Sequence, residues 1–336
     1  MSTLTVIVTG SEGYLMRQLI ARLDDAPEVQ KIIGIDIREK SEINLPKYQY
    51  IRVDVTERRI SHKVVREWVP ASDSLTVVHA AWTFNPTHDT MRQDKVDLIG
   101  TINVSEMAVD LNASNFIYLG STTAYAPLAD NPAEPPFLWE DDYERNKNRR
   151  QSTAYRYARN KAIADGYMQR FKERHPKMNV FWVRGAIVLG ENTRNIVTYV
   201  AESPFTFGKF MFRVRGCDPP MQFLSEFDMA AILYRACINP EKWQGPVNAA
   251  GFGTVKYSEV IRALGRKPIV LPAWLLYPLA ELLWRLRILK FPASLIDLIR
   301  YPWVGNTHKL RHLYHTRYSS RDALEQFAQA VRQKKR

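Results

Sequence analysis

Apolar positions in the first half of the chain come in short runs separated by segments of helical spacing. Thr5-Val6-Ile7-Val8, Lys31-Ile32-Ile33-Gly34-Ile35, Val77-Val78 and Phe116-Ile117-Tyr118-Leu119 are β-branched or aromatic stretches, and each reads as a buried strand. A helical pattern follows the glycine turn at residues 10–13 and runs through Leu23. Alternation of this kind to about residue 183 predicts a parallel sheet covered on both faces. Its crossovers are expected to be right-handed, with ligands at the carboxyl ends of the strands where the strand order reverses.

Beyond Gly190 the periodicity breaks up. Residues 126–152 hold Pro127, Pro132, Pro135 and Pro136 and a charged run from Glu140 to Arg150, and read as a long surface loop placed to cover the cleft. Phe205, Phe207, Phe210, Met211 and Phe212 form an apolar cluster expected in a core. Between Ala273 and Val304, Leu275, Leu279, Leu282, Leu286 and Leu289 recur at spacings of four and three, with Glu281, Arg285 and Arg287 off the stripe. Pro278 is expected to start or kink this helix. Such a stripe is expected to bury against the domain's own core; the alternative, suggested by Trp274, Trp284, Trp303 and the arginines, is a helix lying in a lipid interface as a peripheral contact. Charges interrupt the ~18 apolar residues a spanning segment needs, so no transmembrane segment is expected.

Composition narrows the class. A chain of 336 residues, 46% hydrophobic and 24% charged, has the balance of a soluble globular protein with a large core, not of a disordered or fibrous one. Cys217 and Cys237 alone make neither a disulfide framework nor a metal cluster, so no metal is expected and a reducing cytoplasm is the natural location. The N-terminus enters its first strand without a signal-peptide pattern. The net charge of +12 is dispersed, apart from Arg149-Arg150 and a basic tail at 331–336. No nucleic-acid partner is therefore expected, though a polyanionic cofactor would gain from a positive cleft.

The candidate chemistry begins at Thr9-Gly10-Ser11-Glu12-Gly13-Tyr14-Leu15, which links the first strand to the first helix. Glycines let a backbone approach a pyrophosphate, and a helix N-terminus offers N–H groups and partial positive charge. Asp36 ends the second strand, where a carboxylate hydrogen-bonds ribose hydroxyls and repels a 2′-phosphate. NAD is thus favoured over NADP, which Arg38 leaves open. Tyr157 and Lys161 are four residues apart and share a helix face. An ammonium near the phenol lowers its pKa from ~10, so that it can take a proton from a substrate hydroxyl while hydride leaves the same carbon. Ser121 would hold the substrate oxygen.

Together these residues resemble the extended short-chain dehydrogenase/reductase superfamily, in its NAD-dependent epimerase/dehydratase branch. Further marks are Asp54-Val55, His79-Ala80-Ala81, Gly100-Thr101-x-Asn103-Val104, Arg184 with Gly190, Gln222 to Glu226, and Asn248 to Gly251. The resemblance implies a Rossmann-type doubly wound α/β sheet at 1–183, with 223–250 returning to it. A smaller, mixed substrate lobe is expected from 184–222 and 251–330. It also implies that Asp54 and Val55 contact adenine, that Ala80 and Ala81 line the cofactor cleft, that Val188 sits near the nicotinamide carboxamide, and that the protein is a homodimer. His79 and Arg184 have bland alternatives, a strand-end residue and a structural ion-pair partner. Met16 replaces a usual third glycine and is expected to push the first helix outward and loosen the pyrophosphate site; Asp97 and Gly185 are tolerable departures.

The resemblance also bears on the reaction. Family dehydratases place an Asp-Glu pair directly after the catalytic hydroxyl; here stand Thr122 and Thr123, which do not titrate near neutrality, so dehydration is disfavoured. Epimerisation of a nucleotide sugar is the first expectation. Ile187 stands where sugar-nucleotide enzymes usually carry Asn, which pulls toward a one-way dehydrogenase or reductase of an apolar hydroxy compound, of hydroxysteroid or lipid type. A cofactor-binding subunit without turnover is the third expectation. Thr122, Thr123 and Ile187 are candidate substrate residues, and Arg213 and Arg215 are candidate anion contacts for the substrate.

Overall fold

The computed structural model describes residues 3–57, 67–193 and 209–333. Phe205 and Phe207 of the expected apolar cluster lie outside them. Seven parallel strands form the central sheet: β1 (Leu4–Thr9), β2 (Val29–Asp36), β3 (Tyr48–Arg52), β4 (Ser74–His79), β5 (Asn115–Ser121), β6 (Asn179–Gly185) and β7 (Gly245–Ala249). Their order across the sheet is β7-β6-β5-β4-β1-β2-β3. The chain thus winds one way from β1 to β3 and the other way from β4, leaving the switch point between β1 and β4.

Strand alternation sorts the two faces. Val6 and Val8 point into a core with helix α1 (Tyr14–Asp24) and helix α2 (Glu226–Ile238). Ile7, one residue out of phase, joins Val104 and Met107 of helix α3 (Gly100–Asp110) and Met168 and Phe171 of helix α4 (Arg156–Arg174) on the other face. Met16 is buried in the first of these cores, against the sheet. Pairing of β7 with β6 carries residues 245–249 back to the main sheet. Leu310 and Tyr314 pack in the core that holds α1 and α2.

Smaller cores build the second lobe. Ile187–Leu189 pairs with Phe223–Ser225, and Phe210–Val214 pairs with Lys267–Leu271, each as a two-stranded parallel sheet. Helix α5 (Ala273–Arg285) packs Leu276 and Ala280 against Val214, Leu289 and Ile296. It begins directly after Pro272, so Pro278 is inside the helix and does not start it. Helix α6 (Ser320–Gln333) buries Leu324, Phe327 and Val331, so the expected basic tail opens as helix.

Two expectations fail. The stripe Leu275, Leu279, Leu282 and Leu286 is turned to solvent, and only Leu289 of that series is buried. The core instead takes Leu276, Ala280 and Leu283, one step around the helix. Residues 126–152 do not cover the cleft. They contain two short helices, Asp142–Arg145 and Lys147–Gln151, and are tied down at the side of the sheet. Leu138 N donates to Val304 O at 3.1 Å, and the Glu140 carboxylate accepts from Asn248 N at 2.8 Å. Buried main-chain and carboxylate partners of this kind outweigh the turn-rich composition.

Candidate active site

The turn between β1 and α1 sits at the switch point. Gly10 has φ +69°, and a Cβ there would lie 2.9 Å from Ala81 N and 3.0 Å from Ala80 O. Both the backbone sign and the closeness of the end of β4 therefore require glycine. Gly13 is the N-cap of α1, and no side chain caps that helix. Asp36 bridges back to this turn, its Oδ2 accepting from Glu12 N and its Oδ1 from Arg38 N, both at 3.2 Å. Glu12 is itself buried, gripped by Arg17 at 2.8 Å and in reach of the Tyr48 hydroxyl at 3.3 Å. Farther along the strand ends, Asp54 accepts from Thr56 N at 2.9 Å, and Val55 O accepts from Asn103 Nδ2 at 2.9 Å. His79 is fully buried between Thr9 at 2.8 Å and Thr101 at 3.0 Å; burial, with the Lys161 charge adding to it, pushes its pKa down to about 3, so it is a neutral strand-end residue.

Ser121 ends β5 and caps the short turn that follows. Its Oγ accepts from Thr123 N at 3.2 Å and from Thr123 Oγ1 at 3.0 Å. Thr122 instead turns toward Gly185 O, at 3.4 Å. Tyr157 lies in the first turn of α4, half-buried, its ring edge-on to Trp82 with centroids 6.3 Å apart and 6.2 Å from Phe84. Thr123, a candidate substrate residue from the sequence, does line the cavity, whereas Trp82, Phe84 and the buried Tyr155 were not anticipated as site residues. None of these three carries a local motif, and only the fold brings them to the hydroxyls.

The expected pairing of lysine and phenol takes a different form. The Lys161 ammonium donates to Leu119 O at 2.7 Å and to Tyr118 Oη at 3.3 Å, and lies 3.4 Å over the Trp82 ring, with the Tyr157 centroid 5.8 Å away. A desolvated ammonium is better served by a carbonyl and an indole face than by a neutral phenol. Burial pushes Lys161 well down, against the pull of Asp97. Tyr157 is pushed up, by burial first and by the Asp97 carboxylate second, with the Ser121 side chain pulling the other way. The phenol is therefore held protonated at neutrality, opposite to the expected lowering. Asp97 accepts from Thr83 N at 2.9 Å and from Asn160 Nδ2 at 3.1 Å, which fixes the strand-end loop to α4.

A cavity of about 690 Å³ joins the glycine turn to the hydroxyls of Ser121 and Tyr157. It runs from Gly10, Gly13, Tyr14, Leu15 and Ala80, past Ser121, Thr123, Tyr155 and Tyr157, to Ile187, Val188 and the apolar side chains of 211–303. Met16 forms part of its wall. Its described lining contains no charged side chain and no side-chain amide. Arg213 and Arg215 are not brought to it: Arg213 donates to Cys217 O at 3.0 Å beside Asp218, and Arg215 is exposed. From the strand of Arg213, Phe210–Val214, it is Met211 and Phe212 that reach the wall. Arg184 is likewise structural, in a buried ion pair with Asp165. Among the described residues no cluster of metal-ligating side chains occurs, and no helix is long and apolar enough to cross a membrane.

Comparison with known proteins places this geometry. The profile of the NAD dependent epimerase/dehydratase family matches residues 6–264. An uncharacterized protein of Mycobacterium tuberculosis (strain ATCC 25618 / H37Rv) is 24% identical over 282 residues, covering 82% of this chain and 70% of its own. The fold is shared with dTDP-glucose 4,6-dehydratase from Bacillus anthracis in complex with NAD, at a TM-score of 0.68, 14% identity and coverage of 98% and 97% of the two chains. It is shared also with UDP-glucose 4-epimerase with UDP-glucose from Thermotoga maritima, at a TM-score of 0.67, 12% identity and coverage of 99% and 100%.

Proposed function

The chain belongs to the NAD-dependent epimerase/dehydratase family, and from that premise we propose that it is an NAD-dependent oxidoreductase acting at a secondary alcohol or ketone of a bulky apolar substrate. The observation that carries the substrate class is the cavity wall. A substrate diphosphate beside Ile187 would meet no cation or side-chain amide among the described lining residues, and no counterpart to the α1 N-terminus that the cofactor's pyrophosphate would meet. Unpaired charge is costly in a low-dielectric site. Ile187, which lines the cavity, cannot donate the hydrogen bond that an amide there supplies. The nucleotide-sugar epimerisation expected first lacks those groups among the described residues. Retention of Ser121 and Tyr157 on one cavity wall, with Lys161 bonded behind it to the carbonyl of the lining residue Leu119, speaks for turnover over a purely cofactor-binding role.

Gly10, Gly13, Tyr14, Leu15 and Asp36 would hold NAD, with Asp54 and Val55 at its adenine, Ala80 and Ala81 lining its cleft and Val188 at its nicotinamide end. The bound cofactor supplies the hydride acceptor or donor. Because Ser121 Oγ accepts two hydrogen bonds from Thr123, its own proton is directed to the substrate oxygen. Tyr157, raised by burial, is poised as the acid that protonates that oxygen in ketone reduction, and becomes a base only as pH rises. Alcohol oxidation is thus expected to climb about tenfold per pH unit from neutrality into the alkaline range, while ketone reduction stays flat. Initial rates in both directions across that range check this; a flat oxidation profile would remove Tyr157 from the proton step.

The substrate class is tested by incubating the protein and NAD with apolar secondary alcohols, sterols among them, and in parallel with nucleotide sugars. Net NADH accumulation with the apolar set is expected. Turnover of nucleotide sugars without NADH release would replace this reading by epimerisation. In the cofactor site, Gly10→Ala is expected to lower NAD affinity about tenfold or more, since a Cβ would strain both the turn and the end of β4. Calorimetric titration with NAD gives the answer, and unchanged affinity would show that the turn does not set cofactor binding.

A further inference from the structure

We propose that helix α5 and the turn after it, residues 273–290, dock on an anionic lipid bilayer and draw the apolar substrate from it into the cavity. The substrate part rests on the function proposed above; the docking part rests on the surface itself. One side of α5, with Leu276, Ala280 and Leu283, lines the cavity. The opposite side leaves Trp274, Leu282 and Leu286 exposed at 76%, 55% and 59%. Leu279 and Ile288 do both, lining the cavity while remaining exposed, so the surface patch and the cavity share a rim.

A contiguous exposed leucine face with a tryptophan at its end marks an interaction surface. Charge selects the occupant. Residues 265–292 carry Arg266, Lys267, Arg285, Arg287 and Lys290 against one acid, Glu281, which pairs with Arg285 at 2.9 Å. Leucine and tryptophan inside a basic fringe is the pattern of a helix lying in an anionic interface. A bilayer also stores apolar solutes, and here they would pass from it over Leu279 and Ile288 without crossing water. The helix is anchored for this role, since Trp284 stacks on His88 with centroids 3.8 Å apart, and His88 belongs to the loop carrying Phe84, which faces Tyr157.

The test is flotation of the full chain with vesicles of phosphatidylcholine alone, and with phosphatidylcholine containing a third of phosphatidylglycerol. Flotation with the anionic vesicles, weakened by salt, is expected. Leu282→Gln with Leu286→Gln, neither of which lines the cavity, is expected to lower vesicle binding about tenfold or more. The same variant should keep NAD affinity and turnover of detergent-dispersed substrate, and lose turnover of substrate embedded in vesicles. Absence of flotation, wild-type flotation of the variant, or a dimer that the variant dissociates would overturn the docking proposal. Flotation without turnover of any apolar alcohol would overturn the substrate reading alone.

Discussion

Tyr157→Phe is expected to lower turnover by about a hundred- to ten-thousand-fold while NAD affinity stays at the wild-type level. The phenol lines the cavity beside Ser121 and Thr123, and the cofactor turn at Gly10–Gly13 lies at another end of the same space. Removing one oxygen preserves the ring contacts with Trp82 and Phe84, so packing is retained and the loss reads the proton step. The deficit should fall on kcat and kcat/KM together, because the hydroxyl transfers its proton only as the carbon–oxygen bond changes order. Ser121→Ala is expected to follow it with a smaller loss, since it orients the substrate oxygen and is held by Thr123. Wild-type turnover in Tyr157→Phe, measured with NAD at saturation, would end the assignment of the proton donor.

The parts of this site that were legible in the sequence are those whose chemistry is local. A strand, a glycine turn and a helix start can be read within fifteen residues, and the structure places Gly10, Gly13 and Asp36 around one turn because the peptide geometry of that unit leaves little choice. The sheet was legible for the same reason, since β-branched runs at regular intervals admit few topologies. What escaped depends on distant partners. The i, i+4 relation put Lys161 and Tyr157 on one helix face, but the ammonium goes to Leu119 O and Trp82, and Trp82 has no sequence relation to either residue. The leucine stripe of α5 had the right period, yet a period states only that a helix is one-sided. Which side faces in is decided by Val214 and Ile296, from segments that no local pattern ties to it. The loop at 126–152 was misread because its anchors, Asn248 and residues 304–306, lie more than a hundred positions away.

Asp165→Ala is expected to cost about 3–5 kcal/mol of folding stability, the largest structural penalty we expect from a single residue outside the cavity. Asp165 and Arg184 are both almost wholly buried, the carboxylate meeting the guanidinium at 2.6 and 2.8 Å and accepting also from Trp182 Nε1 at 3.1 Å. The rest of the guanidinium reaches the Tyr125 hydroxyl at 2.8 Å and Glu140 O at 2.7 Å. Burial works against the Arg184 charge, but Asp165 outweighs it and holds the group above its ordinary pKa, so the cation cannot escape by losing its proton. Removing the carboxylate leaves that buried cation without its paired anion and the indole N–H without its acceptor. Asp165 is also two helical turns beyond Tyr157 on α4, so the pair fastens the helix that carries Tyr157 and Lys161 to β6. Asp165→Asn keeps the shape and loses the charge, and is expected to fall between wild type and Asp165→Ala. Replacing both partners, Arg184→Met with Asp165→Leu, should recover much of the loss, since an apolar pair leaves no buried charge unanswered. Urea unfolding of the four proteins gives the comparison. If Asp165→Ala unfolds at the wild-type urea concentration, the ion pair is not what holds α4 against the sheet, and the placement of Tyr157 must rest on the apolar contacts of Ala164, Met168 and Phe171 and on the hydrogen bonds of Asn160 and Lys161.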